Sequence, residues 1–353
     1  MWRVALNLVV HRCFLLLVAF VVINLNLSSE TPQNGLFRIQ PLSLIWGQFV
    51  HRVSETPEME SLKPLLEKPL LKVFGETHNP SLWVCRWVIG LTHFSPLATL
   101  LLVSNLFLFL FLWELHALLN RLAMPDVALG TVVLAILWPT SYELSLGSTF
   151  SMSCFLVTLV VRHALDNQWL LGGIGMGALS LVEPMALGLL PLILYLFWYF
   201  QRNFPAGDVV KRACFFLIPF ALALLWRFRA YSEFIEMAKT SAFFSLFSAA
   251  MQKQPLDWTF SHTLAGQTLT AIFFGTGAII AAVANVTLVH KIIPIYLFLL
   301  LLLFSPYGTL ASRALVAAPG LQGVVAYASR PVTRAVQTVL FFLSVFEVAS
   351  VFN

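Results

Sequence analysis

The chain has 353 residues, of which 59% are hydrophobic and only 10% are charged, against about 45–50% and about 25% in an average soluble protein. A water-exposed surface needs polar cover, so this composition excludes an ordinary soluble enzyme, a disordered chain and a secreted disulfide scaffold. The net charge of +5, from 21 basic and 16 acidic residues, is scattered between apolar runs. We interpret it as a membrane-topology signal and expect no nucleic-acid partner.

The first apolar run, residues 13–25, follows the cations Arg3 and Arg12 and precedes no small-residue cleavage site. We interpret it as a retained signal anchor, which puts the N-terminus in the cytoplasm. Residues 27–82 are polar, and the stretch 58–74 is amphipathic with two prolines. This pattern predicts a first large non-cytoplasmic loop that carries short helices at the membrane surface.

Six apolar runs follow this loop, and four more follow a second large polar loop at residues 227–264. The predicted fold is therefore all-α, a polytopic transmembrane bundle of about eleven spans in one domain over residues 1–353. Some spans are shorter than the roughly 20 residues of a full crossing, and two of them are separated by a break at Glu183 and Pro184. The ten runs are residues 96–119, 127–138, 150–161, 169–182, 185–200, 213–226, 265–289, 292–304, 314–328 and 335–351.

Short links that carry Lys or Arg alternate with links in which Arg313 is the only basic residue. Under the positive-inside rule the basic links are cytoplasmic, so both long loops face the opposite compartment. The prediction is a multi-pass membrane protein, for which we favour a bacterial plasma membrane over the endoplasmic reticulum. The basic links contain Arg121, Arg162, Arg202 with Lys211 and Arg212, Lys291, and Arg330 with Arg334.

Ionisable residues near the non-cytoplasmic face are the first candidates for function, because an unpaired charge at membrane depth is costly. They are Glu143 after the third span, Glu183 at the break and Arg313 after the ninth span. The alternative is that each lies at the wet interface without a role.

Two other ionisable residues, Glu114 and His116, are predicted near the cytoplasmic end of their span. For these residues we expect pairing with Arg121 or snorkelling towards the interface.

No motif of a soluble enzyme is present in the chain. The four cysteines are far apart and are predicted to be small buried apolar residues, which supports neither a zinc site nor a disulfide. The glycines of residues 172–177 are predicted to permit close helix packing, since no strand precedes them. No metal-ligand spacing and no certain cofactor emerge, and a divalent cation is left open.

Four stretches, in their order and spacing, resemble the PIG-V-like mannosyltransferases of the GT-C class. The stretch LWPTSYELSLGSTFSMSCF at 137–155 is similar to the family's Pro-x-Ser turn and the helix start that follows it. The stretch WLLGGIGMGALSLVEPMALGLLP at 169–191 is similar to its Gly-rich helix. Residues 219–258 resemble its second large loop, and SPYGTLASR at 305–313 resembles its Ser-x-x-Arg stretch.

The resemblance implies a membrane glycosyltransferase that takes a sugar from a polyprenyl- or dolichyl-phosphate donor outside the cytoplasm. It implies substrate or phosphate binding by Arg313, with Ser312 and Ser148. The membrane lipid bilayer and the lipid-phosphate sugar donor are then the expected partners.

The sequence departs from the family at its acidic positions. The family's catalytic Asp corresponds to Gly47, its second-motif Glu to Phe150, and its Arg to Glu183. Deprotonating a sugar hydroxyl needs a base within hydrogen-bond reach. Either Glu55 or Glu143 serves instead, or the chain is a catalytically silent relative that acts as an assembly or lipid-binding subunit. A transporter is the third hypothesis, and the absence of a visible repeat disfavours it.

Overall fold

The computed structural model describes residues 51, 54, 57–67, 79–122, 132, 149–227, 279 and 288–304. The described residues form helices joined by short turns and contain no β-strand, which confirms the all-α prediction for this part. Its elements, numbered in chain order, are α1 Pro57–Leu66, α2 Pro80–Thr92, α3 Pro96–Leu122, α4 Phe150–Leu165, α5 Trp169–Val182, a 3-10 helix Pro184–Leu189, α6 Leu190–Gln201, α7 Ala206–Trp226 and α8 Leu288–Phe304.

Among these elements, two helices are long and apolar enough to cross a bilayer. They are Pro96–Arg121 and Ala206–Trp226, and three shorter apolar helices accompany them. Only 11% of the apolar window of α7 is buried against the rest of the protein, and Ile218, Leu222 and Leu225 are among its exposed side chains. Lipid suits such an apolar surface better than water does. The length and apolar composition of these two helices therefore suggest that the protein associates with a membrane.

The boundary between α5 and the 3-10 helix confirms the predicted break at Glu183 and Pro184. α5 covers the predicted run Trp169–Val182, and Glu183 then adopts an extended backbone with φ −140° and ψ 110°. The physical cause is Pro184, because a proline disfavours the α conformation of the residue before it. The chain resumes as a 3-10 helix and continues into α6.

The sequence does not predict α2, since the predicted first loop extends to residue 82 and the next predicted span begins at residue 96. Asn79 caps α2, accepting a bond from the backbone N–H of Ser81 at 3.0 Å, and Pro80 occupies the first turn. Both features are typical of a helix start. The left-handed conformation of His93 (φ 55°) ends the helix. Arg86 interrupts its apolar sequence, which hid the pattern.

α1 is an amphipathic helix within the predicted first loop. Met59, Leu62 and Leu65 lie on one of its faces at three-residue spacing and are buried. They pack against Cys85 of α2 and Val103 near the start of α3, within a small apolar cluster. Burial at this spacing is what holds a short helix in place, since an isolated helix of this length is marginal.

α3 and α4 run parallel, and α5 reverses direction after a tight turn. The hydroxyls of Ser104 and Ser151 meet at the starts of α3 and α4, whereas Arg121 meets Asp166 where both helices end. We call the end of the bundle that contains Arg121 and Asp166 the basic end. It holds the ends of α3, α4 and α6 and the starts of α5 and α7. The opposite end holds the starts of α3 and α4 and the ends of α5 and α7, with α1 and α2 packed beside it.

The glycines of α5 allow close contact on two sides, as the sequence predicted. A Cβ on Gly173 would lie 2.8 Å from the Cα of Phe216 in α7, and one on Gly177 would lie 3.1 Å from the carbonyl oxygen of Pro219. A Cβ on Gly175 would lie 2.6 Å from the side chain of Leu159 in α4. α5 therefore approaches the backbone of α7 directly, the packing that small residues permit between membrane helices.

Candidate functional site

The residues that the sequence nominated for catalysis and substrate binding all fall outside the described residues. Their geometry remains a prediction, and so do the predicted spans and loops in the parts of the chain that the structure leaves undescribed. The residues concerned are Glu143, Glu55, Arg313, Ser312, Ser148 and Gly47.

Two of the positions that depart from the family pattern are described, and both lie at the opposite end. Phe150 is the first residue of α4, and its side chain is 4% exposed within the main apolar core. Glu183 is half-buried at the joint between α5 and the 3-10 helix. An apolar core residue thus occupies the position that the predicted resemblance aligns with an acid.

Hydroxyls join the starts of α3 and α4 at the same end. The hydroxyl of Ser151 donates to the backbone carbonyl of Ser104 at 3.0 Å, and the two hydroxyl oxygens lie 3.4 Å apart. Both residues are buried. Buried hydroxyls need such partners, and this pair ties the Ser-rich start of α4 to α3.

Elsewhere at this end, side chains donate to carbonyls at or just beyond the ends of helices. Arg227 donates to the carbonyl of Leu181 near the end of α5. Arg86 donates to Leu65 at the end of α1 at 3.2 Å, and the hydroxyl of Tyr296 in α8 donates to Gly188 at 2.6 Å. The last carbonyls of a helix lack intrahelical partners and carry partial negative charge. Arg86 and Arg227 are therefore well placed to stabilise the helix ends that they contact.

At the basic end, the structure corrects the expected pairing of Glu114. Its carboxylate lies 2.9 Å from Nε of Arg162, not beside Arg121, and both side chains are mostly buried. Arg121 instead reaches Asp166 at 3.2 Å. The reason is the parallel course of α4, which puts Arg162 beside Glu114, whereas Arg121 lies about two turns further along α3. His116 contacts Asn120 on its own helix, at 3.2 Å.

The Glu114–Arg162 contact is an ion pair without a well-directed hydrogen bond. Oε2 of Glu114 and Nε of Arg162 are close, yet neither atom has a hydrogen-bond partner of acceptable geometry. Opposite charges within a few ångströms in a largely buried setting still attract strongly. Each charge would be costly to bury without the other.

A chain of side-chain hydrogen bonds extends the polar contacts at the basic end to α6 and α7. The amide of Gln201 donates to Asn167 at 2.9 Å and accepts from Arg212 at 2.8 Å. Asn167 adopts the left-handed conformation (φ 58°), and Gln168 N–H bonds the carbonyl of His163 at 2.8 Å. This αL turn ends α4 and brings the polar side chains together.

The sequence alone does not predict this network. The available signal was the triplet Asp166-Asn167-Gln168 between two apolar runs. Asn tolerates the left-handed conformation that a tight turn between helices requires. The partners in α6 and α7 are distant along the chain, so they could be identified only from the three-dimensional structure.

The described part of the chain holds no group of three or more His, Cys, Asp or Glu side chains that could bind a metal ion. Within it, Cys85, Cys154 and Cys214 take part in no disulfide. Cys85 and Cys154 are buried, as predicted, but Cys214 is exposed on α7, so the prediction is wrong there. The buried side chains of α7 are Phe216 and Phe220, and Cys214, two residues before Phe216, lies on the other side of the helix.

No protein-family model, curated protein or solved structure matches the chain. The resemblance to PIG-V-like transferases therefore remains a prediction based on four stretches of sequence. The described residues support the all-helical part of the predicted fold.

Proposed function

We propose that the protein is a multi-pass membrane glycosyltransferase of the GT-C type, with about eleven spans. It would transfer a mannose-type sugar from a polyprenyl- or dolichyl-phosphate donor on the non-cytoplasmic side of the membrane. A bacterial plasma membrane is the location that we favour, with the N-terminus in the cytoplasm.

One observation supports this proposal above the others, namely the set of segments that meet at the opposite end. α1, from the first predicted loop, lies beside the start of α3. The Ser-rich start of α4 belongs to the first family-like stretch and the Glu183 joint to the second, and the end of α7 leads into the second predicted loop. A transferase whose site is built from two loops needs these segments at one end of the bundle.

The proposed reaction breaks the bond between the anomeric carbon and the donor phosphate and forms a bond from that carbon to an acceptor hydroxyl oxygen. A carboxylate accepts the hydroxyl proton, and the lipid phosphate leaves with its electron pair. We assign the base to Glu143 or Glu55. Arg313, with Ser312 and Ser148, would hold the phosphate, because a guanidinium binds phosphate oxygens in a bidentate fork.

The test uses the full chain in phosphatidylcholine nanodiscs with radiolabelled polyprenyl-phosphate mannose. Release or transfer of the sugar is measured, since hydrolysis of the donor reports on the site even without the natural acceptor. We expect Glu143→Gln or Glu55→Gln to reduce turnover by about 100-fold or more, the range of general-base catalysis. Arg313→Ala should weaken donor binding.

Glu60→Gln is the matched control, because Glu60 is an exposed acid of α1 in the same predicted loop as Glu55. Turnover by this variant should equal that of the wild type. Absence of turnover with every lipid-phosphate sugar, together with absence of donor binding, would refute the proposal.

A second candidate function is a non-catalytic subunit that binds a lipid-linked sugar or assists assembly. The buried position of Phe150 in the apolar core favours it, because a side chain there supplies no acid. This candidate predicts saturable binding of polyprenyl-phosphate mannose without sugar release. Donor binding that Arg313→Ala abolishes, with no turnover, would favour it over the transferase.

A further inference from the structure

The arginines and lysine at the basic end fall into two groups that differ in their partners. Arg121 and Arg162 each contact a carboxylate, those of Asp166 and Glu114 respectively. We use the name α6–α7 turn for residues 198–215, which are the last turn of α6, the connection and the first turns of α7. In the described part of the chain, no carboxylate pairs with the cations of the α6–α7 turn. These cations are Arg202, Lys211 and Arg212.

Aromatic rings hold the three cations of the turn. The guanidinium of Arg202 lies 4.9 Å from the centre of the Tyr199 ring, and that of Arg212 lies 4.1 Å from that of Phe204. Nζ of Lys211 lies 5.8 Å from the ring centre of Phe215. Cation–π contacts of this kind orient a cation without neutralising its charge.

Arg212 is fixed further by the polar network. Its NH1 donates to the side-chain oxygen of Gln201, which is 2% exposed and itself bonded to Asn167. A guanidinium has five N–H donors in a rigid fork, and this arrangement engages one edge of that fork. The turn therefore presents positive charge from a side chain that is already oriented.

Exposed apolar side chains begin at the turn and continue along α7. Trp198 is 59% exposed and Phe204 is 43% exposed, and Phe215, Ile218 and Leu222 follow along the helix with exposures of 43%, 57% and 62%. Trp and Tyr beside cations are the usual composition of a membrane interface. A nucleic acid or an acidic peptide would complement the charge but would leave the apolar face of α7 in water.

We propose that the α6–α7 turn binds the headgroup of an anionic phospholipid. The phosphate lies against Arg202, Lys211 and Arg212, and the acyl chains lie along the exposed face of α7. Basic residues beside a membrane attract anionic lipids by about 1 kcal/mol each, which is about fivefold in affinity per cation. Asp208, an exposed acid in the first turn of α7, opposes this attraction.

This lipid site does not depend on the proposed transferase activity, because it lies at the other end of the bundle from the predicted catalytic loops. A protein that transfers no sugar could still bind the lipid. Conversely, loss of the lipid site would leave the assignments of Glu143 and Arg313 untouched.

The experiment measures binding of fluorescent phosphatidylglycerol to the detergent-purified full chain, with phosphatidylcholine as the neutral comparison. We expect phosphatidylglycerol to bind at least tenfold more tightly. The variant Arg202→Gln/Lys211→Gln should lose about 25-fold in affinity for phosphatidylglycerol, from about fivefold for each cation, with phosphatidylcholine binding unchanged. Arg202 and Lys211 each lie against an aromatic ring, whereas Gln201 bonds Asn167 and Arg212, so the double variant spares the Gln201 network.

Two further variants make the result independent of folding. Asp208→Asn should raise the affinity for phosphatidylglycerol several-fold, a gain that unfolding cannot imitate. Arg121→Gln removes a cation that is already paired with Asp166 and should change the affinity by less than twofold. Equal binding of the two lipids, or an equal loss in Arg121→Gln and in the double variant, would overturn the proposal.

Discussion

The two ends of the bundle are held together by different chemistry. At the basic end, side chains of opposite charge or complementary polarity meet one another across helices, as Glu114 meets Arg162 and Gln201 meets Asn167. At the opposite end, side chains instead donate to backbone carbonyls, as Ser151 donates to Ser104 and Arg86 to Leu65. The first kind of contact needs a particular partner side chain, whereas the second needs only a carbonyl in the right place.

This difference teaches where substitutions should matter. A side chain at the basic end depends on the identity of its partner, so removing one member leaves the other exposed to a large desolvation cost. Removing a side chain that donates to a backbone carbonyl takes one hydrogen bond from that carbonyl oxygen. The expected loss in the free energy of unfolding is about 1 kcal/mol. The predictions below compare the two ends, with the glycine interface between them as a reference.

The largest effect is expected for Glu114→Leu at the basic end. The variant leaves Arg162 largely buried without its carboxylate and should lower the free energy of unfolding by about 3–5 kcal/mol. Replacing both partners, Glu114→Leu/Arg162→Leu, should recover most of this loss because no unpaired charge remains. Equilibrium unfolding in mixed micelles measures both values.

Arg121→Leu is the comparison for that experiment, because one member of this pair lies in water: Arg121 is 67% exposed, whereas Asp166 is 14% exposed. A pair between two exposed side chains contributes about 1 kcal/mol or less, and breaking a fully buried pair costs about 3–5 kcal/mol, so we expect Arg121→Leu to cost less than Glu114→Leu. An equal cost for the two variants would contradict this order.

An intermediate effect is expected for Gly173→Ala, between the two ends. The new Cβ would lie 2.8 Å from the Cα of Phe216, so α5 and α7 would have to separate, which costs about 1–3 kcal/mol. Gly207→Ala is the matched control, because nothing lies within 4 Å of its Cβ position and alanine favours the helix by about 1 kcal/mol. Thermal unfolding should shift in opposite directions for the two variants, and a shared direction would contradict the close approach.

The smallest effect is expected for Ser151→Ala at the opposite end. It removes one hydrogen bond to the carbonyl of Ser104 and should cost about 1 kcal/mol. Ser180→Ala is the comparison, because the hydroxyl of Ser180 donates to the carbonyl of Gly177 within its own helix. Removing that hydroxyl breaks no hydrogen bond between helices. If Ser151→Ala were as damaging as Glu114→Leu, the ends would not differ as described.

The break at Glu183 and Pro184 was predictable, because proline is unfavourable in the middle of an apolar helix. Charged residues were weaker markers of a helix boundary. α4 continues past Arg162 and His163 to Leu165, and α7 begins at Ala206, so Lys211 and Arg212 lie inside a helix that the sequence predicts only from residue 213. The role of the α5 glycines was also predictable, since a glycine-rich apolar helix without a preceding strand has few other uses.

The pairing of charges was not predictable in the same way. Glu114 has a nearby cation in sequence, Arg121, but its partner is Arg162 because α3 and α4 are parallel neighbours. α2 was not predicted because Arg86 interrupts its apolar pattern, although Asn79 followed by Pro80 is a recognisable start of a helix. The candidate catalytic residues Glu143, Glu55 and Arg313 remain sequence predictions, because no local pattern determines which side chains converge in space.

The glycine contacts of α5 have a consequence for how the protein can move. With backbone meeting backbone at Gly173 and side chains meeting Gly175, α5 cannot slide against α7 or α4 without a steric clash. These three helices should therefore move as one rigid unit. At Glu183 the backbone is extended between α5 and the 3-10 helix, so a displacement of α6 relative to that unit would be expected at this joint.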